Sequence, residues 1–326
     1  MAKYKIVFTD YYYADNKVEL QVLSQLGDVE IVDCTKIVPG GIKDADLLIP
    51  YVKDADAVVV QFANMSKEVI NTMRYCKIIV RYAIGVDVID VAAAHSRGIT
   101  VSNVPDYCIE EVSDTAVAHI LNLYRSISRS NTLVHDRAWS LSAIQPLKRL
   151  RDATVGLVGF GHIARRTAEK LRELTAHILA YDPYITDTQS YDWVEFVGLD
   201  TLLSRSDVVS IHAPLTKDTK HMIGEREFSL MKDGTYIVNT SRGGLIDEKA
   251  LIAALDEGKI RGAGLDVLDT PDSAYSDSPL MQYSDRVFVT QHLGWYSEAS
   301  IIELKQKVAR NIVARLVNGK ALYEVK

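Results

Sequence analysis

The sequence is short of several features that would assign a protein to a specialised class. The 326 residues include only three cysteines, Cys34, Cys76 and Cys108, whose scattered positions match neither a metal-ligand spacing nor an even disulfide set. Positive charge is not in excess, since the formal net charge is -6, and nucleic-acid binding through a basic face is therefore not expected. No apolar run approaches the roughly 20 residues needed to span a bilayer, and a strand-like pattern stands where a signal peptide would begin. We therefore expect a cytoplasmic protein without a metal ion, a nucleic-acid partner or a membrane span.

What the sequence does contain is a nearly unbroken alternation of short β-branched runs with helical patterns, which is typical of parallel α/β sheets. A first series of strand candidates comprises KIVFTD, VEIVDC, AVVVQF, KIIVRY and ITVSNV. A second series comprises TVGLVGF, HILAYD, VVSIHAP, TYIVNTS, IRGAGLDVL and VFVTQHL. One long helical pattern from Ile109 to about Val134 separates them, and a last helix is predicted from about Glu298 to Val317. Because the second sheet is complete by then, we expect the last helix to return to the first domain.

The second series opens with the most informative motif, VGLVGFGHIARRTAEKL. Gly159, Gly161 and Ala164 occupy the positions of G-x-G-x-x-G/A, which allow a tight turn, the approach of a pyrophosphate, and close packing of helix on strand. The next strand ends in Asp182, near the distance expected for an acid that binds ribose hydroxyls and repels a 2′-phosphate. The alternative is that the glycines serve only packing and that Asp182 is a surface acid. The context of strand, loop and helix favours a dinucleotide site that takes NAD rather than NADP.

Later strands of the second series end in the polar segments HAPLT, NTSRGGLID, GLDVLD and TQHLGW. In an open α/β sheet the ligand lies beyond the carboxyl ends of the strands, so these segments are expected to meet near the glycine loop. Arg242 can hold a carboxylate with two hydrogen bonds, and His292 can transfer a proton near neutral pH. Each also has a structural interpretation: Arg242 could pair with Asp247 or Asp266, whereas His292 could be a hydrogen-bonded histidine at a strand end. We interpret His212 as structural or adjacent to the cofactor.

These segments together carry a family resemblance. The order GFGHIA, YDPY, HAPLT, NTSRGGLIDEKAL, RGAGLDV and QHLGWYSEAS resembles the D-isomer-specific 2-hydroxyacid dehydrogenase family over nearly the whole chain. VSDTAVAHILNLYR, KIRGAGLDV and HLGWYSEAS are most similar to the branch of the C-terminal-binding-protein corepressors and the phosphoglycerate-dehydrogenase-like enzymes. The resemblance implies two Rossmann-like, doubly wound parallel α/β domains. A flavodoxin-like substrate domain would comprise residues 1–101 and 297–326, an NAD-binding domain would comprise residues 102–296, and two NAD domains would pair into a homodimer.

The resemblance also implies roles for individual residues. Arg242 would bind the carboxylate and carbonyl of a 2-oxoacid, and His292 would donate a proton to the C2 oxygen as hydride arrives from the nicotinamide. The substrate would also contact the backbone at Ile84 and Gly85 and the side chain of Trp295. Asp266 would contact the nicotinamide carboxamide. The full set of expected cofactor contacts is Gly159, Gly161, His162, Ile163, Asp182, His212, Pro214, Thr240, Ser241, Arg242, Asp266 and His292.

The chain departs from the family pattern at the residues expected to assist His292 in proton transfer. The family reads Asp-Val-x-x-x-Glu-Pro, with the glutamate paired to the histidine, whereas this chain reads DVLDTP from residue 266 to residue 271. That stretch is one residue shorter and lacks the glutamate. Asp269 is slightly favoured as the replacement over Asp272 or no partner, although it aligns better with an acidic position that is not catalytic. Gln291 stands where the family usually has a proline.

Three functions follow from these observations. The leading one is an NAD-dependent dehydrogenase that acts on a small or medium 2-oxoacid. The second is a non-enzymatic NAD-binding regulator of the corepressor type, although no partner-binding segment is evident. The third is a dehydrogenase for another donor, such as formate or phosphite, and it ranks last because Gln291 does not supply the glutamine–histidine pairing that such enzymes use.

Overall fold

The computed structural model describes residues 4–186 and 188–326. Its chain divides into unit 1, residues 1–108 with 297–326, and unit 2, residues 109–296. The division falls later than the boundary expected at residue 102. The reason is local: the backbone N–H of Val104 donates to the carbonyl of Ala83 at 3.0 Å, and the Asn103 side chain donates to the carbonyl of Ile84 at 2.6 Å. Residues 103 and 104 therefore belong with the first sheet.

Unit 1 is built on a five-stranded parallel sheet in the order β2-β1-β3-β4-β5, which is the flavodoxin-like order. All five strands predicted for the first series are confirmed. Its elements in chain order are β1 (Tyr4–Phe8), α1 (Lys17–Leu23), β2 (Val29–Asp33), α2 (Ala45–Val52), β3 (Ala57–Val60), α3 (Lys67–Thr72), β4 (Ile78–Arg81), α4 (Val91–Ser96) and β5 (Thr100–Ser102).

The last helix of the chain, α11 (Glu298–Asn318), belongs to unit 1, as predicted. Ser297 caps its N-terminus, since its side-chain oxygen accepts a hydrogen bond from the N–H of Ser300 at 2.9 Å. Gly319, with φ of 78°, ends it in the left-handed conformation that glycine adopts without steric cost. In the middle of the helix, the Lys305 ammonium donates to the carbonyl of Asp15 at 2.5 Å. The helix is thereby fastened next to α1, about 290 residues earlier in the chain.

Unit 2 is a seven-stranded parallel sheet in the order β12-β11-β10-β9-β6-β7-β8. Counted from its own first strand, this is the Rossmann order 3-2-1-4-5-6 with one further strand. The two-residue strand β8 was not predicted, because two residues carry no periodicity. The elements after α5 (Ile109–Arg125) and α6 (Ile127–His135) are β6 (Thr154–Val158), α7 (His162–Leu171), β7 (His177–Tyr181), β8 (Glu195–Phe196), α8 (Leu199–Arg205), β9 (Val208–Ile211), α9 (Glu225–Leu230), β10 (Thr235–Asn239), α10 (Glu248–Asp256), β11 (Ile260–Leu265) and β12 (Val287–Val289).

The long helical pattern at the start of unit 2 is two helices, α5 (Ile109–Arg125) and α6 (Ile127–His135), and the prediction of one helix was wrong. The break is Ser126, whose φ of 51° lies in the left-handed region. The Asn122 side-chain oxygen then accepts hydrogen bonds from the backbone N–H of Ser128 at 2.8 Å and from its hydroxyl at 2.9 Å. Such local bonds from Asn and Ser compete with the helical ladder, which the apolar spacing alone does not reveal.

Candidate active site

The glycine loop joins β6 to α7. Gly159 has φ of 90°, and a Cβ at this position would lie 2.8 Å from the carbonyl carbon of His212, so a side chain is excluded on both grounds. Gly161 is the N-cap of α7, and a Cβ added there would meet no described atom within 4 Å. Ala164 is fully buried where the helix packs on the sheet. The open space before the N-terminus of this ten-residue helix fits a pyrophosphate.

Asp182 follows β7 and is bound to the glycine loop. Its Oδ2 accepts a hydrogen bond from the N–H of Phe160 at 2.8 Å, and its Oδ1 accepts one from the N–H of Tyr184 at 2.9 Å. Each carboxylate oxygen has a second lone pair, so the side chain can still accept a ribose hydroxyl. Asp182 therefore also fixes the backbone of the loop, a role that its sequence position did not indicate. The remaining expected contacts on this side, His162 and Ile163, are the first two residues of α7.

Two buried polar atoms at the carboxyl ends of β9 and β10 have no hydrogen-bond partner within the described part of the chain: Nδ1 of His212 and Oγ1 of Thr240. The other ring nitrogen of His212 lies 2.9 Å from the Ser210 hydroxyl, and burial lowers the pKa of His212 to about 4, so the ring is neutral at pH 7. Buried polar atoms without a partner are uncommon in folded proteins. A bound dinucleotide would supply partners, and the donor set at this edge therefore fits NAD.

Arg242 lies in the turn that follows β10. The Asn239 side chain shapes this turn, because its amide donates to the carbonyl of Arg242 at 2.9 Å and its oxygen accepts from the N–H of Ser241 at 3.0 Å. The Ser241 hydroxyl donates to the carbonyl of Ile211 at 2.9 Å and so ties the turn to β9. Arg242 is half-buried, and Nη1 of its guanidinium donates to the carbonyl of Ser241 at 2.8 Å. On the loop after β9, the carbonyl of Pro214 accepts a hydrogen bond from the Thr219 hydroxyl at 2.6 Å.

Asp266, directly after β11, is only 2% exposed and organises the loop that carries His292. Its Oδ1 accepts hydrogen bonds from the Thr290 hydroxyl at 2.5 Å and from the N–H of Leu293 at 2.9 Å. Its Oδ2 accepts one from the N–H of Gly294 at 2.8 Å, and its carbonyl accepts one from the N–H of His292 at 3.0 Å. Three of about four lone-pair sites on the carboxylate are therefore occupied, which leaves one for a further donor.

His292 is paired with Asp272. Nδ1 of the ring lies 3.1 Å from Oδ2 of Asp272, with 39% of the histidine side chain and 71% of the aspartate side chain exposed. The backbone of His292 has φ of 53°, a left-handed conformation that is uncommon for a residue with a side chain. The N–H groups of His292, Leu293 and Gly294, all bonded to Asp266, hold the residue in this conformation.

Asp269, the residue favoured from the sequence as the partner of His292, is bound elsewhere. Its Oδ2 lies 2.8 Å from Nε2 of His221. The cause is the close passage of the 268–269 backbone over Gly243, where an added Cβ would collide with the carbonyl of Leu268. This contact fixes Asp269 beside the turn after β10 and leaves the next acid in the loop, Asp272, to meet His292.

Glu248, the first residue of α10, holds the backbone of this shortened loop and was missed in the sequence. Its Oε1 accepts hydrogen bonds from the N–H groups of Asp269 at 2.7 Å and Thr270 at 3.2 Å. Its Oε2 accepts from the hydroxyls of Thr270 at 3.2 Å and Ser278 at 3.0 Å. A signal was available, since Glu248 directly follows Asp247, which caps α10, and so lies in the first turn of the helix.

Trp295, expected to line the substrate pocket, is partly buried, and its ring meets that of Tyr296 edge to face at 5.6 Å. Ile84 and Gly85 lie in unit 1, just after β4, and both are partly buried. The structure brings Arg242, His292, Asp266 and the glycine loop to one edge of the unit 2 sheet. Ile84 and Gly85 lie at the corresponding carboxyl edge of the unit 1 sheet.

The carboxyl edge of unit 1 also carries an aromatic pair that sequence reasoning missed. Tyr12 and Phe62 stack at 5.9 Å between ring centroids, and each is about half exposed, at 52% and 49%. The buried Asp10 carboxylate holds the Phe62 loop by accepting hydrogen bonds from the N–H groups of Gln61, Phe62 and Ala63 at 2.7–3.2 Å. The run YYYAD directly after the first predicted strand was the available signal.

Sites of two other kinds are absent from residues 4–186 and 188–326. No cluster of three or more histidine, cysteine, aspartate or glutamate side chains is placed to hold a metal ion. None of the helices there is both long enough and apolar enough to cross a membrane.

Known proteins with the same architecture identify the family. The model of the D-isomer specific 2-hydroxyacid dehydrogenase NAD binding domain matches residues 117–294. A hydroxypyruvate reductase of Thermotoga maritima is 35% identical over 274 residues, 84% of this chain and 87% of the relative. A D-3-phosphoglycerate dehydrogenase of Methanocaldococcus jannaschii is 35% identical over 96% of this chain but only 56% of its own length. The solved D-lactate dehydrogenase of Aquifex aeolicus, complexed with NAD and lactic acid, superimposes with a TM-score of 0.82 at 28% identity, covering 97% of this chain and 98% of that one. The chain belongs to the D-isomer-specific 2-hydroxyacid dehydrogenase family, whose NAD-binding domain lies in unit 2.

Proposed function

We propose that this protein reduces a 2-oxoacid to the D-2-hydroxyacid with NADH, and catalyses the reverse reaction with NAD. The observation that carries the proposal is the arrangement at the carboxyl edge of the unit 2 sheet. There the glycine loop, the half-buried Arg242 and a histidine with a carboxylate partner occur together. Ligands of open α/β sheets bind at this edge. NADH, when bound, would supply hydride for this reduction. The substrate would then need, at the same edge, a cation that binds its carboxylate and a group that donates a proton to its oxygen.

The proposed roles follow from the geometry of the two side chains. Arg242 would bind the substrate carboxylate, because a guanidinium offers two parallel N–H donors to a planar anion. Since Nδ1 of His292 faces Asp272, Nε2 is the ring nitrogen available to exchange a proton with the C2 oxygen. Asp272 would fix the ring orientation and stabilise the imidazolium form. Unit 1 would contribute the backbone at Ile84 and Gly85.

The non-enzymatic regulator is the less favoured function. The relatives that match over most of the chain are named as reductases and dehydrogenases, and a histidine with a carboxylate partner is needed for proton transfer and not for cofactor binding alone. The formate or phosphite alternative has no supporting observation, since Gln291 is exposed and no hydrogen bond joins its side chain to a described histidine.

We propose that the protein is a homodimer and that α6 and the segment after it meet a second copy. This part of unit 2 exposes four apolar side chains: Ile127 at 57%, Val134 at 47%, Trp139 at 89% and Leu141 at 72%. Large apolar side chains exposed along one short segment are typical of a protein–protein contact surface. Light scattering on a double variant with Trp139→Ser and Leu141→Ser should give the monomer mass, while Tyr75→Ser, which changes another exposed aromatic residue, should leave the dimer intact. The proposed cytoplasmic location agrees with the three cysteines, all of which are buried and none of which forms a disulfide bond within the described residues.

The direct test is the oxidation of NADH by the purified protein with glyoxylate, hydroxypyruvate, 3-phosphohydroxypyruvate and pyruvate. We expect turnover with at least one of them, and His292→Ala should abolish it while NADH still binds. His221→Ala is the matched control, because His221 is also a histidine paired with an aspartate but is not assigned to the reaction. Absence of turnover with every 2-oxoacid, or equal loss in both histidine variants, would contradict the proposal.

A further inference from the structure

A buried histidine on α5 reaches the loop of the proposed active site. His119 is 5% exposed, and its Nε2 lies 3.2 Å from the hydroxyl oxygen of Thr290. The same hydroxyl lies 2.5 Å from Oδ1 of Asp266, the carboxylate that holds the backbone N–H groups of Leu293 and Gly294. A continuous chain of hydrogen bonds therefore runs from the middle of α5 to the loop that carries His292.

Donors and acceptors in this chain can be assigned. An ionised carboxylate only accepts hydrogen bonds, so the Thr290 hydroxyl donates its single proton to Asp266. The hydroxyl oxygen can then only accept from His119, which requires the tautomer with the proton on Nε2. Burial lowers the pKa of His119, while the charge of Asp266 raises it, and the net shift is downward. The ring is therefore a neutral hydrogen-bond donor at neutral pH and not an alternative acid for the reaction.

The sheet is shaped to admit this ring. A Cβ on Gly264 would lie 2.8 Å from Cβ and Nδ1 of His119, so β11 has room for the histidine only because residue 264 is a glycine. Two residues earlier on the same face, Gly262 leaves space for Leu123, whose side chain would lie 3.2 Å from an added Cβ. Residues two apart on a strand and four apart on a helix share one face, so Gly262 and Gly264 can meet Leu123 and His119. RGAGLD thus accommodates one polar and one apolar side chain of α5.

We propose that His119 is a positioning residue for proton transfer: through Thr290 it orients Asp266 and so holds the backbone of residues 292–294, and with it His292, in the reactive conformation. The inference rests on the proposed function in one respect, namely that His292 is the acid of the reaction. The backbone needs such support because His292 has φ of 53°. A loop keeps this sparsely populated conformation only where its surroundings stabilise it. An apolar residue at position 119 would fill the same space but would leave the Thr290 hydroxyl without its donor.

The test compares two substitutions at the same position. His119→Gln keeps an N–H donor at about the same distance from Cβ, whereas His119→Phe keeps the ring volume and loses the donor. We expect kcat of His119→Phe to fall about tenfold, as a loss of one net hydrogen bond would give, with KM changed less, and His119→Gln to retain most of the activity. Leu123→Val is the matched control: it alters packing on the same face of α5 and should lower the melting temperature without lowering kcat.

Thr290 provides a second test that does not depend on the folding of the Phe variant. Thr290→Ser keeps the hydroxyl and should behave like the unchanged protein, while Thr290→Val is isosteric and should lose kcat as His119→Phe does. The double variant of His119→Phe with Thr290→Val should be no worse than the poorer single variant, because both remove the same chain of bonds. Equal kcat in Thr290→Ser and Thr290→Val, or a kcat in His119→Phe within twofold of the unchanged protein, would overturn the proposal.

Amide hydrogen exchange separates this inference from the proposed function, since it needs no substrate. Exchange at Leu293 and Gly294 should be about tenfold faster in His119→Phe than in the unchanged protein and unaffected by Leu123→Val. If exchange responds but no 2-oxoacid is reduced by any form, the positioning contact is real and the assigned reaction is wrong. If the unchanged protein reduces 2-oxoacids and exchange does not respond, the reaction stands and the positioning role is refuted.

Discussion

The two acids that compete for the role of histidine partner can be separated by one matched pair of variants. Asp272→Asn removes the charge that lies 3.1 Å from Nδ1 of His292, while Asp269→Asn removes the charge that faces His221. Both substitutions keep the size of the side chain and a hydrogen-bonding oxygen. Only the first should change the reduction of a 2-oxoacid.

The size of the effect follows from the exposure of the pair. With 39% of the histidine and 71% of the aspartate side chain in contact with water, the interaction is strongly screened. Such exposed pairs contribute about 0.2–1 kcal/mol, which corresponds to a factor of at most about five in a rate constant. We therefore expect kcat/KM of Asp272→Asn to fall no more than fivefold at low salt, and the difference from the unchanged protein to shrink as salt is added.

The assay is steady-state NADH oxidation at several salt concentrations, with the substrate that the panel identifies. If Asp269→Asn lost more activity than Asp272→Asn, the pairing seen in the structure would not be the functional one. A loss of a hundredfold or more in Asp272→Asn would show that the pair acts in a far less hydrated environment than its exposure indicates. Either result would refute the reasoning from screening.

Three further outcomes are expected. Asp182→Ala should weaken NADH binding and narrow the preference for NADH over NADPH, as titrations of cofactor fluorescence would measure, and equal binding of both cofactors by the unchanged protein would contradict the role of Asp182. Arg242→Lys loses the planar two-point contact, so it should remove several kcal/mol of transition-state stabilisation and lower kcat/KM, with little change in NADH binding. Normal turnover by this variant would exclude Arg242 as the anchor. Burial lowers the pKa of His212 from 6.5 to about 4, so between these pH values the unfolded chain binds a proton that the folded chain does not. As pH falls through this range, the free energy of unfolding should therefore decrease by up to about 3 kcal/mol. Urea titrations should show a smaller decrease for His212→Gln.

Most of the fold could be predicted because the strands of parallel sheets are continuous β-branched runs and the glycine loop has a fixed relation to strand and helix. Ile78–Arg81 and Val208–Ile211, for example, are buried at every position and read as strands without ambiguity. The break at Ser126 could not be predicted, because it depends on one asparagine side chain that bonds to the following turn. Periodicity records which face is apolar and not which hydrogen bonds compete with a helix.

In the candidate site, the residue types and their common edge could be predicted, but the pairing could not. Motif spacing placed Asp269 nearest to the expected position of the missing glutamate, yet the approach of the backbone to Gly243 turns this side chain toward His221. Three-dimensional crowding of this kind has no signature in the spacing of acids along the chain. The same holds for His119, which is separated from Thr290 by 171 positions and looked like an ordinary residue of a helix face.

The discontinuity of unit 1 has a consequence for the order in which the chain acquires its structure during synthesis. Unit 2 is one uninterrupted segment, so all of its strands have been translated before α11 leaves the ribosome. Unit 1 instead lacks the partner of α1 until Lys305 is made, and the side of its sheet that α11 covers stays open to water during that interval. Domains that fold as translation proceeds expose such surfaces to chaperones and to aggregation. We therefore expect purified chains truncated shortly after residue 296 to contain a protease-resistant unit 2 beside a protease-sensitive N-terminal segment.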